Sequence, residues 1–196
     1  MAVSDAPGMA RRDSPARRRI LKTAGTLFYA DGIRAVGIDR IIATARVAKA
    51  TFYSHFPAKD DLVCAYLTEQ SRLQRGVALD VRTSRSTPRE MILGIFEAIG
   101  EIGCGPGFRG CPFVNAAAEY PDPHHPVRLV VAEHRAWFRD LVRELLYAAG
   151  QPEAERAAAM LVLLRDGLVV SGQLDDAAEV RGLIRAAVTQ VLGEAA

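Results

Sequence analysis

With 196 residues, 49% of them hydrophobic and 24% charged, the chain has room for one generous core or two small ones, and this composition excludes wholesale disorder. The formal net charge of +2 is unevenly divided: residues 1–70 hold eleven Lys and Arg against seven Asp and Glu, a net +4, and residues 71–196 hold fourteen against sixteen, a net −2. A basic end is the electrostatic footprint of a chain that meets phosphates, while three cysteines without a close pair exclude a disulfide framework and fit a reducing compartment.

Residues 1–13 carry Arg11 and Arg12 with no apolar segment behind them, which argues against a secretory signal and predicts a flexible basic arm. Apolar residues then recur at intervals of three and four over most of the length, with Gly and Pro between the runs. The chain therefore reads as all-α, with about nine helices. Ser14 and Pro15 make a clean helix start ahead of Ile20, Leu21, Ala24, Leu27 and Phe28, and Gly32 ends that helix. Two short helices follow over residues 38–45 and 49–56 with only a tight turn between them, which is helix-turn-helix spacing. Pro57 closes the second. Lys59, Asp60 and Asp61 open a fourth helix whose acids suit the positive end of its dipole, and its buried face carries Leu62, Val63, Tyr66 and Leu67.

Residues 76–86 mix Arg, Ser and Thr and read as the domain junction, with a helix-turn-helix domain at 14–67 and a larger helical domain at 68–196. Thr87-Pro88-Arg89-Glu90 is a capping box that opens a helix with Ile92, Ile95, Phe96 and Ile99 on one face. After a Gly-rich loop at residues 103–110 come a short helix near residues 113–120 and the turn Pro121-Asp122-Pro123. A long helix then covers residues 126–149, with Val127, Val130, Val131, His134, Phe138, Leu141, Val142 and Leu145 inward. Gly150 and Pro152 separate it from a helix that reaches about residue 173 and is apolar around its circumference. Arg165 and Asp166 interrupt its apolar runs, so no segment supplies the roughly 18 uncharged residues of a membrane span, and a cytoplasmic location is expected. Together with Val180, Leu183, Ile184, Ala187, Val188 and Val191 of the last helix, it offers apolar surface for both a core and a partner subunit. That predicts a homodimer through the last two helices.

Within residues 49–56, Phe52 and Phe56 fall one turn apart and anchor an inner face, leaving Lys49, Thr51, Tyr53 and His55 outward or flanking. Residues 41–62, IIATARVAKATFYSHFPAKDDL, resemble the helix-turn-helix and following helix of TetR (tetracycline-repressor-like) family transcriptional repressors. The most telling part is Thr51-Phe52-Tyr53-Ser54-His55-Phe56 with Lys59, supported upstream by Ile20, Ala24, Phe28 and Gly32 at fitting offsets; the likeness covers about residues 14–67. Three positions depart from the family pattern. Arg46 stands where the turn usually has glycine, Ile42 where a small residue is expected, and Ala48 where a polar cap precedes the third helix.

The resemblance implies a sequence-specific repressor that binds double-stranded operator DNA and is released by a small molecule. By their own chemistry, Lys49, Ala50 and Thr51 at the start of the recognition helix are the residues that reach base edges. Tyr53, His55 and Lys59 flank the groove and clamp phosphates, the role the resemblance also implies. Arg46 and Arg18, with Arg17 and Arg19, offer further backbone contacts. Two such units about 34 to 36 Å apart would enter successive major grooves of a palindrome. A ligand would disturb that spacing through a hinge near residues 66–76.

The family places its ligand pocket in the C-terminal helices, and Arg109-Gly110-Cys111-Pro112-Phe113-Val114-Asn115 resembles a loop-helix segment of one subset of it. Phe96, Phe113, Trp137 and Phe138 wall a mainly apolar cavity, with Cys111 beside them and Asn115, Glu119, His134 and Arg165 as the orienting polar groups. The ligand expected there is small and apolar or amphipathic. A thiol switch at Cys104 or Cys111 lacks an adjacent base, and His124, His125 and His134 lack metal-ligand spacing. No cofactor is expected. There is no nucleophile elbow, phosphate loop or paired helical histidine, so an enzyme is not expected. A nonspecific architectural DNA binder would be more basic and would not need the large apolar C-terminal half.

Overall fold

The computed structural model describes residues 14–193, and the arm expected at residues 1–13 lies outside the described residues. These residues form nine helices and no strand: α1 Pro15–Asp31, α2 Ile38–Ala45, α3 Lys49–His55, α4 Lys59–Ser84, α5 Pro88–Gly103, α6 Pro112–Glu119, α7 Pro126–Ala148, α8 Ala154–Leu174 and α9 Ala177–Leu192. Two compact units result, Met1–Gln70 with Pro112–Val131, and Ser71–Cys111 with Ala132–Ala196. Residues 112–131 thus cluster with the first unit although the helices that flank them in sequence belong to the second.

In the first unit, Ser14 caps α1 by accepting from the Arg17 N–H at 3.1 Å, and Pro15 sets the first helical φ. Ile20, Ala24 and Phe28 form the buried stripe. The helix stops at Gly32, whose φ of 90° suits a residue without Cβ. Ile41 and Ala45 of α2 and Phe52 of α3 pack into the same core, which Ile33, Val36, Phe56, Leu62, Val63, Tyr66 and Leu67 complete.

Arg46 adopts the left-handed conformation, φ 52° and ψ 53°, and its N–H reaches the carbonyls of Ala43 and Ile42. The turn keeps glycine geometry without glycine, at a cost of about 1 kcal/mol. Ala48 gives α3 no side-chain cap, so the turn and the start of α3 rely on tertiary packing, and Ile42, the third departure, is half-buried in α2.

Helix α4 is unbroken from Lys59 to Ser84. The junction expected at residues 76–86 and the hinge expected at 66–76 are therefore largely helix. Thr83 and Ser84, which read as loop formers, turn their hydroxyls back onto the carbonyls of Asp80 and Val81.

In the second unit, the Thr87 hydroxyl accepts from the Glu90 N–H at 3.2 Å, while the Glu90 carboxylate accepts from the Thr87 N–H at 3.1 Å. That capping box starts α5 where the sequence places it. The core joins Ile92, Ile95 and Phe96 of α5 to Phe138, Val142 and Leu146 of α7, Leu161 and Leu168 of α8, and Ile184 and Val188 of α9. Helices α5 and α8 approach closely at Gly172, where a Cβ would stand 2.6 Å from the Gly103 carbonyl oxygen.

Helix α8 is long and apolar enough to cross a membrane by length and composition, which the sequence reading did not allow. Its polar pair lies mid-helix, and Leu161, Val162, Arg165 and Leu168 are buried in the unit's own core. The face left over exposes Leu163 at 69% and Leu174 at 73%, with Met160 before them and Val170 between them in register, and Leu183 of α9 is 60% exposed.

Candidate nucleic-acid interface and sensing cluster

A seven-residue helix has no stability of its own in water, so the position of α3 is decided by what it buries. Phe52 and Phe56 are 0% and 2% exposed, with ring centroids 6.2 Å apart. Lys49, Ala50, Tyr53 and Ser54 are exposed in consequence, and Thr51 and His55 are half-buried. The Lys49 ammonium is 3.6 Å from Asp39 in a pair whose members are both well exposed; such a bridge contributes little to stability and leaves the ammonium available to a competing anion.

His55 is tethered. Its Nε2 is 3.1 Å from the Ser14 hydroxyl that also caps α1, so the end of the reading helix is tied to the start of the first. Arg17 lies over the Phe56 ring at 5.1 Å, while Arg18 and Arg46 are exposed. Lys59 sits 6.0 Å from the centre of the Phe28 ring, and burial lowers its ammonium pKa, an effect that Glu119 and Asp60 partly oppose.

Arg46 also lines a cleft of about 430 Å³ with Arg19, Lys22, Thr23, Thr44 and Ala45. The sequence reading missed Lys22, Thr23 and Thr44. They are dispersed in sequence, and only the packing of α1 beside the end of α2 brings them to one concavity.

The expected sensing residues divide between the units. Phe113 and Asn115 belong to the first, with Phe113 buried and Asn115 half-buried. Glu119 belongs there too, and its chemistry differs from the expectation. One carboxylate oxygen accepts the Ile33 N–H at 2.8 Å and the other the Arg34 N–H at 2.6 Å, so both serve the loop between α1 and α2. Beside it, the Tyr120 hydroxyl donates to Asp60 at 2.9 Å, His125 Nε2 lies 3.4 Å from the same carboxylate, and Arg128 donates to the Tyr120 carbonyl at 3.0 Å. Burial, and then the bond to Asp60, push the Tyr120 phenol pKa upward. A helix near residue 116 thus supplies a brace for the reading unit that no local motif announces.

In the second unit, Phe96, Cys111, His134, Trp137, Phe138 and Arg165 do come together. Phe138 has Phe96 and Trp137 each at 6.2 Å and the Arg165 guanidinium at 5.0 Å. Arg165 Nη2 donates to the Cys111 sulfur at 3.9 Å and Nη1 to Asp166 at 3.4 Å. The Ser71 hydroxyl is 3.0 Å from His134 Nδ1 and accepts from Arg75 Nε at 3.2 Å, and Arg75 covers the Trp137 ring at 4.7 Å. Arg135 holds Asp166 through two hydrogen bonds. His134 is 2% exposed, and burial followed by the charges of Arg165 and Arg75 draws its pKa down to about 3. Ser71, Arg75, Arg135 and Asp166 were not foreseen, because an arginine at a helical outward position reads as solvated until a neighbour claims it.

Residues 20–66 match the family described as bacterial regulatory proteins, tetR family, and residues 117–194 match the tetracyclin repressor-like C-terminal domain. The fold is similar to that of a TetR-family transcriptional regulator of Streptomyces coelicolor, with 44% identity over 93% of this chain and 96% of that one and a TM-score of 0.87. A Tetr-transcriptional regulator of Streptomyces avermitilis gives 30% identity over 91% and 97% of the two chains, with a TM-score of 0.82. The HTH-type transcriptional regulator LmrA of Bacillus subtilis is 25% identical over 79% of this chain and 85% of its own length.

Two measurements check the braces. Glu119→Gln replaces one charged acceptor with an amide NH₂ that faces an N–H donor; it is expected to destabilise the protein by about 1 to 3 kcal/mol and to speed amide exchange at Ile33 and Arg34. Unchanged exchange at those two amides would contradict the assignment. For His134, the folded pKa lies below the unfolded value near 6.5, so below that value the unfolded state binds the extra proton. Stability is therefore full above pH 6.5 and falls as pH drops toward 3. Denaturation midpoints in His134→Phe should lose that part of the acid slope.

Proposed function

Because the chain belongs to the TetR family of transcriptional regulators, we propose that it is a cytoplasmic repressor that holds a palindromic operator as a homodimer and lets it go on binding a small molecule. The observation that carries this reading is the α3 face: two buried phenyl rings fix the helix so that Lys49, Ala50, Thr51 and Tyr53 project together. Lys49, Ala50 and Thr51 lie in its first turn, where a recognition helix meets base edges. Tyr53 and His55 with Lys59, Arg46 and Arg18 are assigned to the backbone, and the burial of Lys59 and the Ser14 tether on His55 give those two a positioning share in the role.

The dimer is assigned to the exposed faces of α8 and α9. Leu163, Leu174 and Leu183 leave enough apolar surface that burying each one adds about 1 to 2 kcal/mol. Helix α4 supports the release step. Its Leu62, Val63, Tyr66 and Leu67 are core residues of the reading unit, and its Ser71 and Arg75 bond to the His134 and Trp137 cluster. A ligand that rearranges that cluster acts on the helix that also supports α3, and linkage then requires operator DNA to weaken ligand binding by the same factor.

Selection from a pool of random duplexes tests the reading: a two-fold symmetric site should emerge. Lys49→Ala should relax preference at one base pair by about 1 to 3 kcal/mol, whereas Tyr53→Phe should weaken all sequences alike. A pool that emerges without sequence preference would remove the repressor.

For the assembly, Leu163→Glu should give a folded monomer in sedimentation experiments that binds a half-site but has lost cooperative binding to the full palindrome. A dimer of undiminished stability would relocate the interface.

A further inference from the structure

We infer that the ligand of the second unit is an organic acid, its carboxylate seated on Arg165 and its apolar body on Phe96, Trp137 and Phe138. This rests on the reading of that unit as a sensor. Arg165 is 6% exposed, and an arginine removed from water needs a counter-charge and partners for five N–H donors. Asp166 is its nearest acid, at 3.4 Å, but that carboxylate is bonded twice by Arg135. Cys111 offers a sulfur, a weak acceptor, at 3.9 Å, and Phe138 offers a ring face at 5.0 Å.

Arg75 completes the set over Trp137, paired only loosely with an exposed Glu133 at 3.8 Å. Three guanidinium groups, Arg75, Arg135 and Arg165, thus meet two carboxylates, Glu133 and Asp166, while His134 stays neutral between them. The set carries one positive charge in excess, and of its three guanidinium groups only that of Arg165 is buried and poorly screened, while Arg75, Arg135 and Glu133 reach solvent. A carboxylate presents two oxygens to the planar fork of an arginine and restores the balance. An amine would add to the excess, and a neutral ligand would leave it unchanged. Of the three rings Trp137 is half-buried and Phe96 and Phe138 are buried, and an aryl or medium-chain acyl body matches their apolar character.

Trp137 is the single tryptophan and lies within the cluster, so binding has a built-in reporter. The full chain is titrated with octanoate and phenylacetate, and with octanamide and phenylacetamide as matched neutral probes, by Trp137 fluorescence and calorimetry. The acids should bind at least about tenfold more tightly than their amides. Arg165→Met should abolish that preference, and Arg165→Lys should retain part of it. Asp166→Asn, which removes the competing carboxylate, should tighten binding of the acids, whereas an ion pair of purely architectural value predicts no gain.

Equal affinity for acid and amide, absence of saturable binding by either acid, or weaker acid binding in Asp166→Asn would overturn the inference. Operator selection by the same preparation reports separately on the repressor: a protein that selects a duplex and ignores the acids refutes the ligand class alone. One that binds the acids and selects no duplex refutes the repressor alone.

Discussion

The burial of Phe52 and Phe56 is the constraint on which the reading unit depends. Helix α3 is too short to persist alone, has no polar cap at Ala48, and follows a turn in which Arg46 is held at positive φ. Those handicaps together amount to about 2 kcal/mol, and two buried phenyl side chains return about 2 to 3 kcal/mol each. The margin is sufficient but local. It fixes which face of the helix is outward, and it leaves the angle of the helix to its neighbours. Ser14 bonded to His55, Arg17 over Phe56 and Glu119 on the loop at Ile33 are the contacts that set that angle.

Charge placement follows a similar logic in both units. At the reading face an exposed cation can be left in a weak pair, which keeps it available. Lys49 near Asp39 is of this kind. Inside the second unit a cation has the opposite character. Arg165 is desolvated, and Asp166 divides its charge between two guanidinium groups. A surface cation costs little to leave unpaired. A buried one does not.

Much of the architecture was legible because it rests on local rules. Ser14 with Pro15, and Thr87 with Glu90, announce helix starts through hydrogen bonds made within four residues. The positions of Ile20, Ala24, Phe28, Phe52 and Phe56 announce the core by period alone. The features that were not legible share a physical cause. Gly76 and the Ser, Thr and Arg residues after it carry breaker composition, yet helix α4 continues because the packing of Ala78 and hydroxyls folded back on carbonyls outweigh weak propensity. Glu119 was expected among the sensing groups because its helix carries Cys111's neighbours Phe113 and Asn115. Its true partners, the amides of Ile33 and Arg34, lie 85 or more residues away in sequence, and no sequence period encodes such a pairing.

On the proposed reading, the continuity of α4 makes release physically economical. From Tyr66 in the reading core to Arg75 over Trp137 is nine helical steps, about 13 Å of helix rise. A helix resists bending more than a loop would, so on that reading a displacement of Ser71 or Arg75 would travel along α4. The energy needed is small. A hundredfold loss of operator affinity requires a difference of about 2.7 kcal/mol between two arrangements. One charge-assisted contact made or broken in a desolvated cluster supplies about that amount. The hinge expected at residues 66–76 falls within that helix, so the proposed release does not draw on a loop there.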